Sequence, residues 1–188
     1  LHFDLSGAKD MPTAADLHAK LMLTLKPLTE LYGRSPDEVT PGGLFEGLIR
    51  RAYKQTGLRV VIIIDEYDAP LLKSLHEDAV LNEKRDVLQE LYSPLKLCEP
   101  FIKCCFITGV TKFSQLSIFS TINNITIISM LPKYAALCGV TEEELVTTLA
   151  PDIALLAETY ECTPEEMHQR LKTRYDGYMF SERAPEVY

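Results

Sequence analysis

The pattern of hydrophobic and polar positions is clearest where a long apolar run ends abruptly in two carboxylates. Residues 60–64 are Val, Val, Ile, Ile and Ile, and Asp65 and Glu66 follow them directly. A short apolar run without alternation is typical of a strand buried on both faces of a parallel sheet. We therefore predict a central buried strand over 60–64, with a crossover loop beginning at Asp65.

Apolar spacing predicts further elements on both sides of this strand. In order, they are a strand at 1–5, helices at 13–26, 44–53 and 80–97, and a second buried strand at 101–108. Pro27 should bend or end the first helix because proline lacks an amide donor. Helix and strand alternate as in βαβ units, so the fold class expected is α/β with a parallel sheet flanked by helices. Residues 113–131 leave helix and strand open.

The character of the chain changes after Gly139, where capping signals for short helices replace strand patterns. Thr141 with Glu144, and Thr163 with Glu166, have the spacing of capping boxes. These signals predict a small helical subdomain with helices at 141–150, 152–160 and 164–174. We accordingly expect an α/β core over 1–135 and a helical lid over 136–188.

Composition and charge narrow the classes of function. The 188 residues are 46% hydrophobic and carry a formal net charge of −8, which argues against a broad nucleic-acid-binding surface. The chain contains no apolar stretch long enough to cross a membrane and no signal peptide, so we expect a cytoplasmic protein. The five cysteines show no CxxC spacing and are expected to be reduced, mostly packed in the core. Because the chain begins at Leu1, we expect a piece of a longer protein or a chain whose ends were removed.

Asp65 and Glu66 are the first candidates for chemistry. Ligands of parallel α/β sheets bind beyond the carboxyl ends of the strands, where these side chains should lie. An acidic pair at a strand end is the Walker B arrangement of nucleotide hydrolases. There the first carboxylate holds Mg²⁺ and the second activates water. The alternative is a carboxylate that only caps the following loop.

Thr108, Thr111 and Lys112 follow the second buried strand and should therefore be neighbours of Asp65. Polar or cationic groups at that edge can contact a γ-phosphate or the attacking water, the role called sensor 1. The alternative is an ordinary turn with a solvated lysine.

Arg170 and Arg174 are spaced by four residues on the last predicted helix and so share a face. They could contact nucleotide phosphates from the lid, although a solvated helix face is the simpler interpretation. The histidine and cysteine spacings do not support zinc, and GxSxG is absent. The phosphate-binding pattern GxxxxGK[ST] is also absent from these residues.

Four collinear segments together resemble the bacterial AAA-ATPase-like family, which is related to the archaeal-type ATPases of the STAND branch. They are IDEYDAPL at 64–71, FITGVTKFSQLSIFSTINN at 106–124, ISMLPKYAALCGVTEEEL at 128–145 and RYDGYMFS at 174–181. The resemblance covers nearly the whole chain. It implies a P-loop fold with a Walker A segment upstream, and often a PD-(D/E)xK nuclease-like domain downstream.

By position, the resemblance matches Asp65 and Glu66 to the Walker B acids and Thr111 with Lys112 to the sensor 1 turn. Asp176 and Gly177 match a family signature of unknown role. Thr121 stands where the family pattern has Gly, and Ile127 where it has Asp, which puts local turn geometry in question. Without a Walker A segment, these residues alone should bind ATP weakly or not at all.

The function expected of the intact protein is Mg²⁺-dependent ATP hydrolysis, used as a conformational switch for an attached effector. Asp65 would hold the metal, Glu66 would activate water, and Thr108, Thr111 or Lys112 would contact the γ-phosphate. Homo-oligomers are possible for such a protein. One alternative is a non-catalytic interaction module with the same fold. Another is the regulatory part of a nuclease-linked protein.

Overall fold

A computed structural model describes residues 1–111, 118–119, 122 and 125–175. The chain forms two compact units, Leu1–Asn124 and Ile125–Tyr188. The strands of the first unit are β1 (His2–Asp4), β2 (Val60–Asp65) and β3 (Ile102–Ile107). Its helices are α1 (Ala14–Tyr32), α2 (Pro41–Thr56), α3 (Ala69–Leu72), α4 (Asp78–Tyr92) and α5 (Pro94–Leu97). The second unit contains α6 (Glu142–Val146), α7 (Ala150–Thr159) and α8 (Pro164–Arg174).

The three strands form one parallel sheet in the order β1-β2-β3. β1 pairs with β2 so that Asp4 lies opposite Asp65, and β3 pairs with β2 so that Ile107 lies opposite Ile64. The expected α/β class with a parallel sheet flanked by helices is confirmed. Because all three strands run the same way, their carboxyl ends meet at one edge.

The core of the first unit lies between the sheet and helices α1, α2 and α4. Ile62 and Ile64 are fully buried, as are the inward-facing side chains of the helices, among them Leu21, Phe45 and Leu88. The ring of Phe3 on β1 meets that of Phe45 edge-on at 5.3 Å between centroids. Aliphatic and aromatic side chains from consecutive turns thus fill this layer.

The expectation that β2 is buried on both faces is wrong for the described part of the chain. Burial alternates along β2, and Val61 and Ile63 are 42% and 39% exposed. Cys104 and Phe106 of β3 are paired in register with these two residues and are also exposed. No residue of β3 is buried, so the expectation of a second buried strand over 101–108 is also wrong for the described residues. The described helices leave one face of β2 uncovered. The pattern of apolar residues alone cannot distinguish a sheet face covered by the described helices from a face covered by another part of the protein.

The expectation of core cysteines is likewise wrong for three of the five. All five thiols are free, but Cys104, Cys105 and Cys138 are exposed, whereas Cys98 is buried. Cys104 and Cys105 are exposed because β3 ends the order of strands in the described sheet.

Three helices differ in their bounds from the predictions. α1 continues through Pro27, which is exposed, so the carbonyl left without a donor lies on the solvent side where water can reach it. α2 begins at Pro41 rather than at 44. The Thr40 side chain accepts a hydrogen bond from Gly43 N–H, and proline at the first helical position needs no donor. The predicted helix over 80–97 divides at Ser93 into α4 and α5.

The second unit has its own small core, formed by Leu145, Ile153, Ala157 and Met167. Both predicted capping boxes are present, at the first turns of α6 and α8. In the described residues of 113–131, neither helix nor strand forms. No described helix is long and apolar enough to cross a bilayer. The predicted boundary at 135/136 stays a prediction.

Candidate functional site at the carboxyl edge of the sheet

The side chains of Asp65 and Thr108 meet at the carboxyl ends of β2 and β3. The Thr108 hydroxyl donates a hydrogen bond to Asp65 Oδ1, and Glu66 N–H donates to the same oxygen at 3.0 Å. The ladder between the strands continues into this region. Thr108 N–H donates to the carbonyl of Ile64, and Tyr67 N–H donates to that of Thr108, both at 2.9 Å. Asp65 is therefore held in a defined position at an exposed edge.

Glu66 has a left-handed backbone conformation, with φ of 55°. This region is unfavourable for a residue with a Cβ, and such strain persists where the surrounding structure imposes it. The flanking hydrogen bonds of Asp65 and Tyr67 impose it here. The backbone thereby leaves the strand direction directly after Asp65, and the Glu66 side chain is half-buried.

A second set of contacts joins the turn after β2 to the turn after β3. Asp68 is completely buried, and its two carboxylate oxygens accept hydrogen bonds from Val110 N–H at 3.2 Å and Thr111 N–H at 2.5 Å. The Tyr67 hydroxyl donates to the carbonyl of Thr111 at 2.6 Å. We call Tyr67, Asp68 and residues 109–111 the inter-turn clamp.

The clamp is closely packed. A Cβ added to Gly109 would lie 2.4 Å from Cδ1 of Tyr67 and 2.5 Å from Oδ1 of Asp68, which no side chain can occupy. The carbonyl of Tyr67 accepts a hydrogen bond at 3.2 Å from the hydroxyl of the buried Tyr92. Glycine at position 109 is thus what allows the two turns to approach each other.

Burial sets the protonation of the two tyrosines. Desolvation and, to a lesser degree, the Asp68 charge raise the pKa of Tyr67 to about 12. Desolvation raises the pKa of the fully buried Tyr92 well above its ordinary value. Both phenols therefore remain hydrogen-bond donors at physiological pH.

Asp4 adds a further carboxylate to this edge of the sheet, next to Asp65 in the register of β1 and β2. Its oxygens accept hydrogen bonds from the backbone N–H of Ser6 at 2.7 Å and from its hydroxyl at 2.9 Å. These bonds hold the pKa of Asp4 below its ordinary value. Asp4 is therefore ionised and bound to its own turn.

The other predicted site residues lie in different places. Thr111 belongs to the clamp, whereas Lys112, Thr121, Asp176 and Gly177 lie outside the described residues. Arg170 and Arg174 are exposed on α8 in the second unit. There they line a shallow surface cavity of about 740 Å³ together with Gln169, Thr173 and Tyr175.

The Asp65 carboxylate is the group at this edge that could hold a metal ion. Among the described residues, no three His, Cys, Asp or Glu side chains cluster as a protein-made metal site. Mg²⁺ commonly binds through one or two carboxylates, water and substrate phosphates, and keeps several waters. Both hydrogen bonds described for the Asp65 side chain end on Oδ1. The other carboxylate oxygen, Oδ2, could therefore serve as the ligand of such a metal.

Sequence reasoning missed Tyr67 and Asp68, which it assigned to a connecting loop. A buried carboxylate bonded only to backbone amides has no charged partner whose spacing could indicate it. The available signal was a third acidic residue, at 68, directly before Ala69 and Pro70, where a helix begins.

These observations define a class: α/β proteins with a parallel sheet and carboxylates at the carboxyl end of a strand. The sequence profile described as "Predicted AAA-ATPase" matches residues 1–119. The chain belongs to this AAA-ATPase-like family.

A curated relative is 33% identical over 171 residues, which is 91% of this chain. It is the "Uncharacterized protein in vnfD 5'region" of Azotobacter chroococcum mcd 1, and the chain spans 31% of its length. No solved structure matches.

Proposed function

We propose that the intact protein is a P-loop ATPase that hydrolyses ATP with Mg²⁺. The observation that carries this proposal is the meeting of Asp65 and Thr108 at the carboxyl edge of a parallel sheet. Nucleotide and metal bind at such edges in doubly wound folds. Membership of a family described as predicted ATPases supports the same class of reaction.

The residues of the edge would divide the chemistry as follows. Mg²⁺, when bound, neutralises charge on the phosphates. Asp65 would hold the metal through Oδ2 while Thr108 and the Glu66 amide fix its carboxylate through Oδ1. Glu66 would take a proton from water as the water oxygen attacks the γ-phosphorus and the bond to the bridging oxygen of ADP breaks. Thr111 and Lys112 would contact the γ-phosphate from the next turn.

The open face of the sheet also supports the proposal. Val61, Ile63 and Phe106 expose apolar surface on the face that the described helices leave uncovered. Parallel sheets are nearly always covered on both sides. A further layer from the intact protein, including the Walker A segment that the resemblance places upstream, would supply that cover and most of the grip on phosphate.

A coupling of hydrolysis to an effector would follow the same proposal. Arg170 and Arg174 on α8 offer two cations at the surface of the second unit, which could contact phosphate in one nucleotide state. An attached nuclease-like domain rests only on the resemblance. Homo-oligomer formation and a cytoplasmic location remain expectations from the sequence.

Calorimetry of Mg²⁺-ATP binding tests the proposal on this chain and on the chain extended upstream. We expect binding only by the extended chain, weakened by Asp65→Ala. In that chain Glu66→Gln should keep binding but lower kcat by about 100-fold or more, since a general base contributes about that factor. Absence of binding by both chains would contradict the ATPase proposal.

The alternative is a non-catalytic module in which Asp65 only caps its loop. The hydrogen bond from Glu66 N–H to Asp65 Oδ1 is the contact that such a cap makes. Under it, Glu66→Gln in the extended chain would leave any nucleotide turnover unchanged.

A further inference from the structure

The inter-turn clamp contains one group whose role the proposed ATPase chemistry does not assign. Asp68 is 0% exposed, yet the hydrogen bonds described for its carboxylate come from two consecutive backbone amides, of Val110 and Thr111. A buried carboxylate is costly unless hydrogen bonds compensate it. The hydrogen bonds described for Asp68 come from the turn after β3, whereas Asp68 itself lies in the turn after β2.

We propose that Asp68 is a positioning residue that couples the turn after β2 to the turn after β3. Glu66 lies two residues before Asp68, and Thr111 is held directly by it. Through this carboxylate, the candidate base and the candidate phosphate-contacting turn keep a constant distance from each other. The assignment rests on the proposed function for its catalytic consequence, but its geometry can be tested without catalysis.

The contacts around Asp68 also connect the turn after β3 to Glu66. The Tyr67 hydroxyl closes a second connection to Thr111, at 2.6 Å. Gly109 allows the close approach, and the Tyr67 backbone is itself joined to Thr108. A change in the position of 109–111 would therefore be transmitted to Tyr67 and from there to Glu66, its chain neighbour.

The kinetic test uses the chain extended upstream, with Asp68→Asn and Asp68→Ala. The amide keeps one acceptor oxygen and about the same volume, so Asn should partly replace Asp. We expect kcat to fall about 10-fold in the Asn variant and further in the Ala variant, with KM for Mg²⁺-ATP within about twofold of wild type. Misplacement of catalytic groups lowers kcat, whereas loss of folded protein lowers only the active fraction.

Glu90→Gln is the matched control. Glu90 is also a carboxylate that joins two elements. It belongs to α4 and accepts hydrogen bonds from the Thr40 hydroxyl and Gly42 N–H at the start of α2, away from the two turns. We expect it to lower stability and leave kcat unchanged. Equal kcat values for Asp68→Asn and wild type, after correction for folded fraction, would overturn the proposal.

An NMR measurement on the 188-residue chain separates this proposal from the ATPase proposal. Amide exchange at Val110 and Thr111 should be slow in wild type and in Glu90→Gln, and faster in Asp68→Asn, with a shifted Glu66 amide signal. If these changes occur but the extended chain binds no ATP, the coupling holds and the ATPase proposal fails. Unchanged exchange at both amides in Asp68→Asn would contradict the coupling whatever the catalytic result.

Discussion

Glu66 has a backbone conformation that costs stability, at the strand end where we propose that the reaction takes place. Its φ of 55° is unfavourable for any residue with a Cβ, whereas glycine adopts it freely. We expect Glu66→Gly to raise the free energy of unfolding by about 0.5–1 kcal/mol, after the entropy that glycine adds to the unfolded chain.

Urea denaturation of the 188-residue chain measures this effect, with Glu66→Gln as the control. The Gln variant keeps a Cβ and should match wild type in stability. A loss of stability in Glu66→Gly would show that the side chain contributes more to the fold than its backbone strain costs.

Tyr67 should make stability depend on pH in the alkaline range. Its pKa is raised from 10.0 to about 12, so between these values the unfolded chain has released the proton that the folded chain still holds. Its stabilising contribution is then complete below pH 10 and is lost as the pH rises toward 12. Tyr67→Phe should therefore show a shallower decline of the free energy of unfolding over this interval.

Denaturant titrations at a series of pH values test this expectation. All other tyrosines and the lysines are common to both proteins, so their titration cancels in the difference. Parallel curves for wild type and Tyr67→Phe would mean that Tyr67 titrates normally in the folded state.

At the scale of elements, the contact between α2 and α4 depends on glycine at position 42, which has no side chain. A Cβ on Gly42 would lie 2.3 Å from the backbone oxygen of Glu90, which cannot move without the helix. Gly42→Ala should therefore destabilise the protein by about 1–3 kcal/mol, as overpacking usually does, despite the better helix propensity of alanine.

Gly43→Ala is the comparison for this effect. Its Cβ would lie 3.2 Å from the Thr40 hydroxyl oxygen, a contact that a small adjustment can relieve. Thermal unfolding of both variants should rank Gly42→Ala well below Gly43→Ala. Equal midpoints would mean that α2 and α4 separate at little cost.

At the scale of the whole molecule, we expect another part of the intact protein to cover the exposed face of the sheet. Cys104 is exposed beside Val61, while Cys138 is exposed in the second unit. If an upstream segment covers this face, Cys104 should react with a thiol reagent at least about 10-fold more slowly in the extended chain. Local protection slows reaction by the free energy needed to open it.

Cys138 serves as an internal control, because its rate should be the same in both chains. Mass spectrometry of labelled peptides gives both rates from one sample. Equal labelling of Cys104 in the short and extended chains would show that the face stays open, and would remove one support from the ATPase proposal.

The elements that residue pattern predicted well are those decided by local chemistry. The capping boxes at Thr141 and Thr163 formed because a hydroxyl and a carboxylate three residues on satisfy each other's amides, whatever the rest of the fold does. Parallel pairing followed from alternating helix and strand, and it placed Thr108 beside Asp65. The predicted end of the first helix at 26 was wrong, because the effect of Pro27 depends on which face of α1 meets solvent.

By itself, the sequence determined the α/β class, the parallel direction of the strands and the acidic end of β2, because periodicity and strand order depend on near neighbours. Only the tertiary structure decided that Val61 and Cys104 lie on an uncovered face, and that Asp68 joins two turns more than 40 residues apart. Burial and backbone hydrogen bonds of this kind depend on which distant segments meet in space, and residue types alone do not determine which segments meet.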